Sequence, residues 1–311
     1  MNNLEKYIDK FAHLRVDRSK GAGAPHKPIL LLSIIAEIEA GNILDNRIYL
    51  TPELVARFKD HWSKLVGSSI FKPNFSLPFF HLKSDGFWHL SCFVGKEIKL
   101  TSSNSIKSLG QLIDVIDYAS LDESLYELLI ADYERELLRN TLLDTYFNGR
   151  RIPTGNKIME DISNQILNEP AVAYRKRAAY FDEEDVFVRG GVFKKEIPRI
   201  YDHTCCISGM RIKVSDTIQM IDACHIISFS ESHDDTIGNG ISLCPNLHRA
   251  FDRGLISIDE NYKVLVKPFA EADTSYSIRQ FEGKQILLPA NHRHYPRQEG
   301  LANHQERFNF K

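Results

Sequence analysis

The stretch IDACHIISFSESHDDTIGNGISLCPNLHRAFDRGLISID, residues 221–259, runs from apolar text closing at His225 through a polar loop to Asn239. Beyond it stand Cys244-Pro245-Asn246-Leu247-His248 and Phe251-Asp252-Arg253-Gly254-Leu255. A lone histidine after an apolar run is usually a core residue. His225, Asn239 and His248, in this order and at these separations, form a constellation and point to chemistry. Cys224 and Cys244 read instead as small buried thiols, and His233 beside Asp234-Asp235 as a solvated loop residue.

This text strongly resembles the HNH nuclease family over roughly residues 189–275, in the branch that reads approximately AAHI, NG, LC, HHR, FD and GL in order. Phosphodiester hydrolysis needs an activated water, neutralised phosphate charge and help for the leaving oxygen, which one divalent ion and one neutral histidine can supply. The resemblance implies a ββα unit with His225 as general base and His248 as a metal ligand on the helix after the strands. It makes Asn239 the amide that fixes the intervening loop and helps orient the base. The family often carries Asp or His immediately before the base, where Cys224 stands here. Asp222 and Asp252 are the carboxylates within reach, hard donors suited to Mg²⁺ or Mn²⁺, whereas Cys224 would suit zinc. The carboxylates are the expected further ligands, although Asp252 could equally pair with Arg249 or Arg253. No structural zinc is expected, because Cys205-Cys206-Ile207-Ser208-Gly209 and Cys244-Pro245-Asn246-Leu247 lack the second cysteine of a CxxC knuckle.

Outward from this stretch, 311 residues exceed one ordinary domain, so two modules are expected. A hydrophobic fraction of 43% with 26% charged residues belongs to a globular chain, and Pro28 to Ala36, the longest apolar run, is too short to span a bilayer. MNNLEKYIDKF lacks an apolar core with a cleavage site, so a cytoplasmic location is expected. Five unevenly spread cysteines read as reduced thiols. A net charge of -2 excludes a uniformly basic coat but leaves room for a local DNA-binding face.

Helical periodicity marks residues 4–16 and 28–41, the second run stopped by Gly41. Thr51-Pro52 opens a helix to about Leu65. Residues 68–105, crowded with aromatics, prolines and Gly86, predict loops and short strands, and 108–147 predict a helical pair. The polar text of 151–188 reads as a linker with some helix, between a recognition domain at 1–150 and a nuclease domain at 189–311.

In the first domain, Ala24-Pro25-His26-Lys27-Pro28 and Pro78-Phe79-Phe80-His81 resemble the sulfur-binding domain of phosphorothioation-dependent, McrA-like type IV restriction endonucleases. A phosphorothioate differs from a phosphate by one larger, softer, less hydrated atom, so its reader should offer an apolar cup and cationic donors. The resemblance puts the cup at Leu77, Pro78 and His81 and a basic pair at His26 and Lys27. The family carries an aromatic residue before the proline and Arg at the second basic position, where this chain has Leu77 and Lys27. Arg15, Arg18 and Lys20 add charge for the DNA backbone, and Ser102, Ser103, Asn104 and Lys107 offer a second DNA-facing loop. Pro78-Phe79-Phe80 could also plug a core, and His26-Lys27 could be an exposed helix start.

The expected protein is α+β: a mainly α-helical reader of modified DNA joined to a ββα-metal nuclease, acting on double-stranded DNA with a divalent ion. A homodimer would let two sites cut both strands. One alternative is a reader of methylated or otherwise modified bases, flipped into a pocket built from Phe71, Phe75, Phe79, Phe87 and Trp88. Another is a sensor that grips modified DNA without cutting, which the full set of His225, Asn239 and His248 argues against.

Overall fold

The structure, a computed structural model, describes residues 2–19, 21, 23–66, 70–96, 106–214, 219–268 and 276–310. The chain divides into two compact units, Met1–Glu160 with Asp182–Val188, and Asp161–Phe181 with Arg189–Lys311. Of residues 151–188, read as a linker, 151–160 and 182–188 belong to the first unit and 161–181 to the second. No helix of the described residues is long and apolar enough to cross a membrane.

In the first unit, α1 (Asn3–Ala12) starts at a capping box between Asn2 and Glu5. Helix α2 (His26–Glu39) buries residues all round its circumference, the signature of a central helix rather than a surface one. Helix α3 (Pro52–Leu65) begins as expected, with Thr51 accepting from the Leu54 amide and Pro52 in the first turn. Helix α4 (Ser76–His81) was not expected: Pro78 falls in its first turn, where a missing N–H costs nothing. A 3-10 turn, Leu82–Asp85, follows and stops at Gly86, whose φ of 72° favours glycine. Strand β1 (Trp88–Cys92) and helix α5 (Leu109–Val115) precede β2 (Ile116–Leu121), α6 (Glu123–Ile130) and α7 (Asp132–Phe147).

Residues 116–121 depart from the helical pair expected over 108–147. They pair antiparallel with β1, Trp88 opposite Leu121, and Ala119 also bridges Ile48. Partners distant in sequence decide the strand, which local apolar spacing cannot reveal. Helices α3, α4, α6 and α7 pack around α2. Phe71, Phe75, Phe79, Phe87 and Trp88 are all buried, with Phe79 edge-on to Trp88, so all five rings named for a flipped base belong to the core.

Helices α8 (Lys157–Asn168), α9 (Ala171–Ala178) and α10 (Glu183–Ile200) follow. The second unit then carries the hairpin β3 (Asp222–His225) and β4 (Gly240–Leu243), joined through the short α11 (Phe229–Ser232). The register sets His225 opposite Gly240 and Asp222 opposite Leu243. Helix α12 (Pro245–Asp252), with Pro245 in its first turn, completes a ββα unit. A second hairpin, β5 (Ile256–Ile258) and β6 (Val264–Val266), and helix α13 (Gln298–Arg307) close the fold. The α+β class read from the sequence is the class found.

His304 fastens α13 to this core. Its ring stacks on Phe251 with centroids 3.7 Å apart, Nε2–H donates to the Phe251 carbonyl, and Nδ1 meets the Ser257 hydroxyl at 2.9 Å. Burial pushes its pKa down to about 4, below the ordinary 6.5, against the pull of the Phe251 hydrogen bond. Between those values the unfolded chain binds a proton that the folded chain refuses, so stability is lost as pH falls through this window. Unfolding free energy measured from pH 7 to pH 4 should therefore fall more steeply for the natural protein than for His304→Gln, by at most about 1.4 kcal/mol per pH unit. Equal slopes would remove His304 from the account.

Candidate active site and DNA-reading pocket

Strand β3 presents His225 at its end, and three contacts fix the ring. Phe193 of α10 stacks on it at 3.9 Å, nearly parallel, and Asp235 Oδ1 lies 2.8 Å from Nε2. The Asp235 side chain is 2% exposed. An ionised carboxylate only accepts, so Nε2 carries the proton and the Nδ1 lone pair stays free to take one. Gly240, opposite His225, permits the stack: a Cβ there would meet Ile197 Cδ1 at 2.2 Å and Phe193 Cζ at 2.7 Å. The Asn-Gly pair is thus explained by packing on the glycine side.

Asn239 is buried, and its amide is used on both ends. Oδ1 accepts from the Ile227 amide at 3.0 Å, while Nδ2 donates to the carbonyls of Ile227 at 2.8 Å and Asp234 at 2.9 Å. It ties the start of the loop to its end. The sequence reading missed what the loop holds. Asp234 and Asp235 are buried: Asp234 accepts from Arg175 and Arg297 and from Thr236, and Tyr174 donates to Asp235 at 3.4 Å. Burial, together with the charges of Asp235 and Asp234, raises the Tyr174 pKa, so the phenol remains a donor. His233, beside them, is exposed with φ 50°, in keeping with a solvated loop residue.

On α12, His248 faces two carboxylates. Nδ1 lies 3.1 Å from Asp222 Oδ2, and Nε2 lies 3.4 Å from Asp252 Oδ2. A neutral imidazole has one N–H, and the shorter contact gives it to Nδ1. Nε2 then turns a lone pair toward a carboxylate, an arrangement that a shared cation reconciles. Among the described residues, Cys224, His248 and Asp252 form a group whose ligand atoms lie within 4.8 Å of one another. Burial first, then the Asp252 charge, holds the Cys224 thiol well above its ordinary pKa, and its sulfur lies 3.5 Å from the His225 carbonyl and 3.9 Å from Asp252 Oδ1. One cavity of about 260 Å³ is lined by His225, Ser228, His248, Asp252, His304 and Arg307. Of the other cysteines, Cys205 accepts from the Ser208 amide, and the hydrogen bond with Cys244 lowers its pKa while raising that of Cys244.

The first unit contains a larger cavity, about 820 Å³, lined by Arg15, His26, Lys27, Phe71, Lys72, Leu77, Pro78 and His81 among others. The residues expected as the cup and the basic pair therefore meet in one place. Arg18 is exposed and outside the lining, and Lys20 and Ser103 lie outside the described residues. Lys27 differs from expectation in one respect. Its ammonium donates to the Arg15 carbonyl at 2.7 Å, to Ser84 Oγ at 2.9 Å and to Asp85 Oδ2 at 2.6 Å, so all three hydrogens are taken inside the domain. It braces the wall and offers no free donor. Burial, then Lys27 and Lys83, lowers the His81 pKa. Lys72, whose carbonyl lies 2.9 Å from His26 Nε2, was not singled out in the sequence.

Residues 4–162 match the family model of the ScoMcrA-like DNA sulfur-binding domain, just over half of the 311 residues. The chain belongs to that family. Residues 205–259, which hold the ββα unit, match the HNH endonuclease family model. Among solved structures, the type IV phosphorothioation-dependent restriction endonuclease ScoMcrA is 12% identical over 78% of this chain and 93% of its own, with a TM-score of 0.35. The modification-dependent TagI restriction endonuclease is 22% identical over 37% of this chain, with a TM-score of 0.30. This chain spans 36% of the TagI length. No curated protein matches the chain.

Two substitutions test this geometry. Gly240→Ala should destabilise the HNH module by about 1–3 kcal/mol through overpacking and should shift the His225 ring signals in an NMR spectrum; an unchanged melting temperature and spectrum would refute the close packing. Lys27→Ala strands the buried Asp85 carboxylate and should cost the sulfur-binding domain about 3 kcal/mol in thermal unfolding.

Proposed function

We propose that this protein is a modification-dependent DNA endonuclease that recognises phosphorothioate links and hydrolyses a phosphodiester nearby. The observation that carries the nuclease half is the single cavity joining His225, with its free Nδ1, to His248 and Asp252. Support for the sulfur half is the family match together with a cavity whose rim exposes Leu77 and Ile70 beside Arg15, Lys72 and His81. A soft sulfur prefers the apolar rim, and the remaining phosphate oxygens meet the cations.

His225 takes the proton of the attacking water on Nδ1. Asp235 keeps Nε2 protonated and steadies the imidazolium that forms, while Phe193 holds the ring plane. Asn239 shapes the loop that carries Asp235. His248 and Asp252 would hold Mg²⁺ or Mn²⁺, with Asp222 orienting His248 through Nδ1, and the nitrogen and carboxylate donors fit such an ion. When bound, the ion supplies charge stabilisation to the scissile phosphate and the leaving oxygen. This assigns Asp222 an orienting task rather than direct ligation. Two copies acting together would break both strands.

Digestion of matched plasmids with and without phosphorothioate links, in Mg²⁺ or Mn²⁺, is the decisive assay. Only the modified plasmid should be cut, and chelation should stop the reaction. Cutting of both plasmids would discard the sulfur reading, and cutting of neither would discard the nuclease reading. His225→Ala should lower the rate about 10²- to 10⁴-fold, and Asp235→Ala about 10- to 100-fold with KM little changed. Full activity in Asp235→Ala would show that the carboxylate does not set the tautomer.

A further inference from the structure

The HNH family match ends at residue 259, yet the cavity between His225 and His248 is closed on one side by helix α13, nearly forty residues later. That helix is fixed at both ends. At its start the Arg297 amide donates to the Gly238 carbonyl at 2.9 Å, and the Arg297 guanidinium reaches Thr236 and Asp234. At its end His304 is buried on Phe251, and Phe308 lies where a Cβ on Gly254 would come within 2.2 Å of its ring. A rigid backbone thus delivers one half-exposed side chain, Arg307, into the cavity wall.

Arg307 is the lysine or arginine among the lining residues of that cavity, and Asp252 is the carboxylate. Its guanidinium is paired through Nη1 with Glu231 Oε2 at 2.7 Å, both side chains 48% exposed. Such an exposed pair contributes little stability, whereas a guanidinium on a phosphate makes a charge-assisted, two-pronged contact. Glu231 stands two residues after Phe229, which also lines the cavity, so the ion pair ties α13 to the element beside the cavity wall.

Resting on the nuclease reading above, we propose that Arg307 clamps a phosphate of the DNA strand in the cleavage cavity, and that Glu231 holds the guanidinium in place until DNA displaces it. The C-terminal helix is then part of the nuclease site. A helix end alone would use Arg307 only to offset its dipole, in which case its loss would change stability and nothing else.

The test uses the full chain and a fluorescein-labelled duplex carrying one phosphorothioate link. Binding is read by anisotropy across a salt series in the His225→Ala background, with and without Arg307→Ala. Loss of one phosphate contact should reduce the slope of log affinity against log salt by about 0.9. In the otherwise natural chain, Arg307→Ala should lower kcat/KM about tenfold, Arg307→Lys less, and Glu231→Gln should lower KM, with melting temperatures preserved. An unchanged salt slope and an unchanged kcat/KM in Arg307→Ala would overturn the proposal. If Arg307→Ala does not fold, Glu231→Gln decides: a lowered KM supports the clamp and an unchanged KM overturns it. A natural chain that binds with the steeper slope but never cuts would sink the nuclease reading while leaving the phosphate contact supported.

Discussion

Two neighbouring carboxylates, Asp234 and Asp235, are buried at 0% and 1% exposure, and much of the nuclease module is arranged around keeping them there. An uncompensated buried charge costs several kcal/mol, so each must be met by donors wherever they come from. They come from three separate stretches: Tyr174 and Arg175 on α9, Arg297 at the head of α13, and His225 at the end of β3. Satisfying the charges therefore orders the loop, docks two helices that are remote in sequence, and sets the tautomer of the histidine. The same requirement that stabilises the fold fixes the imidazole proposed as the base.

The sulfur-binding domain uses a related device to a different end. Lys27 and Asp85 are paired with side chains 9% and 4% exposed, behind a cavity whose rim holds Leu77 and Pro78. A free lysine there would draw water and any anion indiscriminately. With its charge consumed internally, Lys27 adds no free cation to the wall, and the exposed cations of the lining are Arg15 and Lys72.

Much of this was legible before any coordinates. The helices begun by Thr51-Pro52 and by the apolar run after Pro28 follow from capping and periodicity, and the family resemblance carried by His225, Asn239 and His248 implies the ββα unit. What escaped detection was long-range. Strand β2 depends on a partner at residues 88–92, and α4 hides behind a proline that reads as a breaker. Asp234-Asp235 was visible as an acidic pair, but polarity alone suggests solvent, and the arginines that reverse that reading lie about sixty residues to either side. Phe193 carries no local mark at all; only the absence of a side chain at Gly240 hints that something must approach closely.

Asn239 binds its loop through main-chain atoms of Ile227 and Asp234, with only a longer contact, 3.4 Å, to the Ser232 hydroxyl. Main-chain atoms are the same whatever residue supplies them. Where Asn239 ties it, the enclosed turn is consequently held by its path, and an exposed position such as Ser230 can change over evolutionary time without loosening these bonds, whereas the buried Asp234 and Asp235 side chains cannot. For an engineer the same property makes that turn a place to attach a dye or a tether at the mouth of the cavity while the atoms that do the work stay where they are.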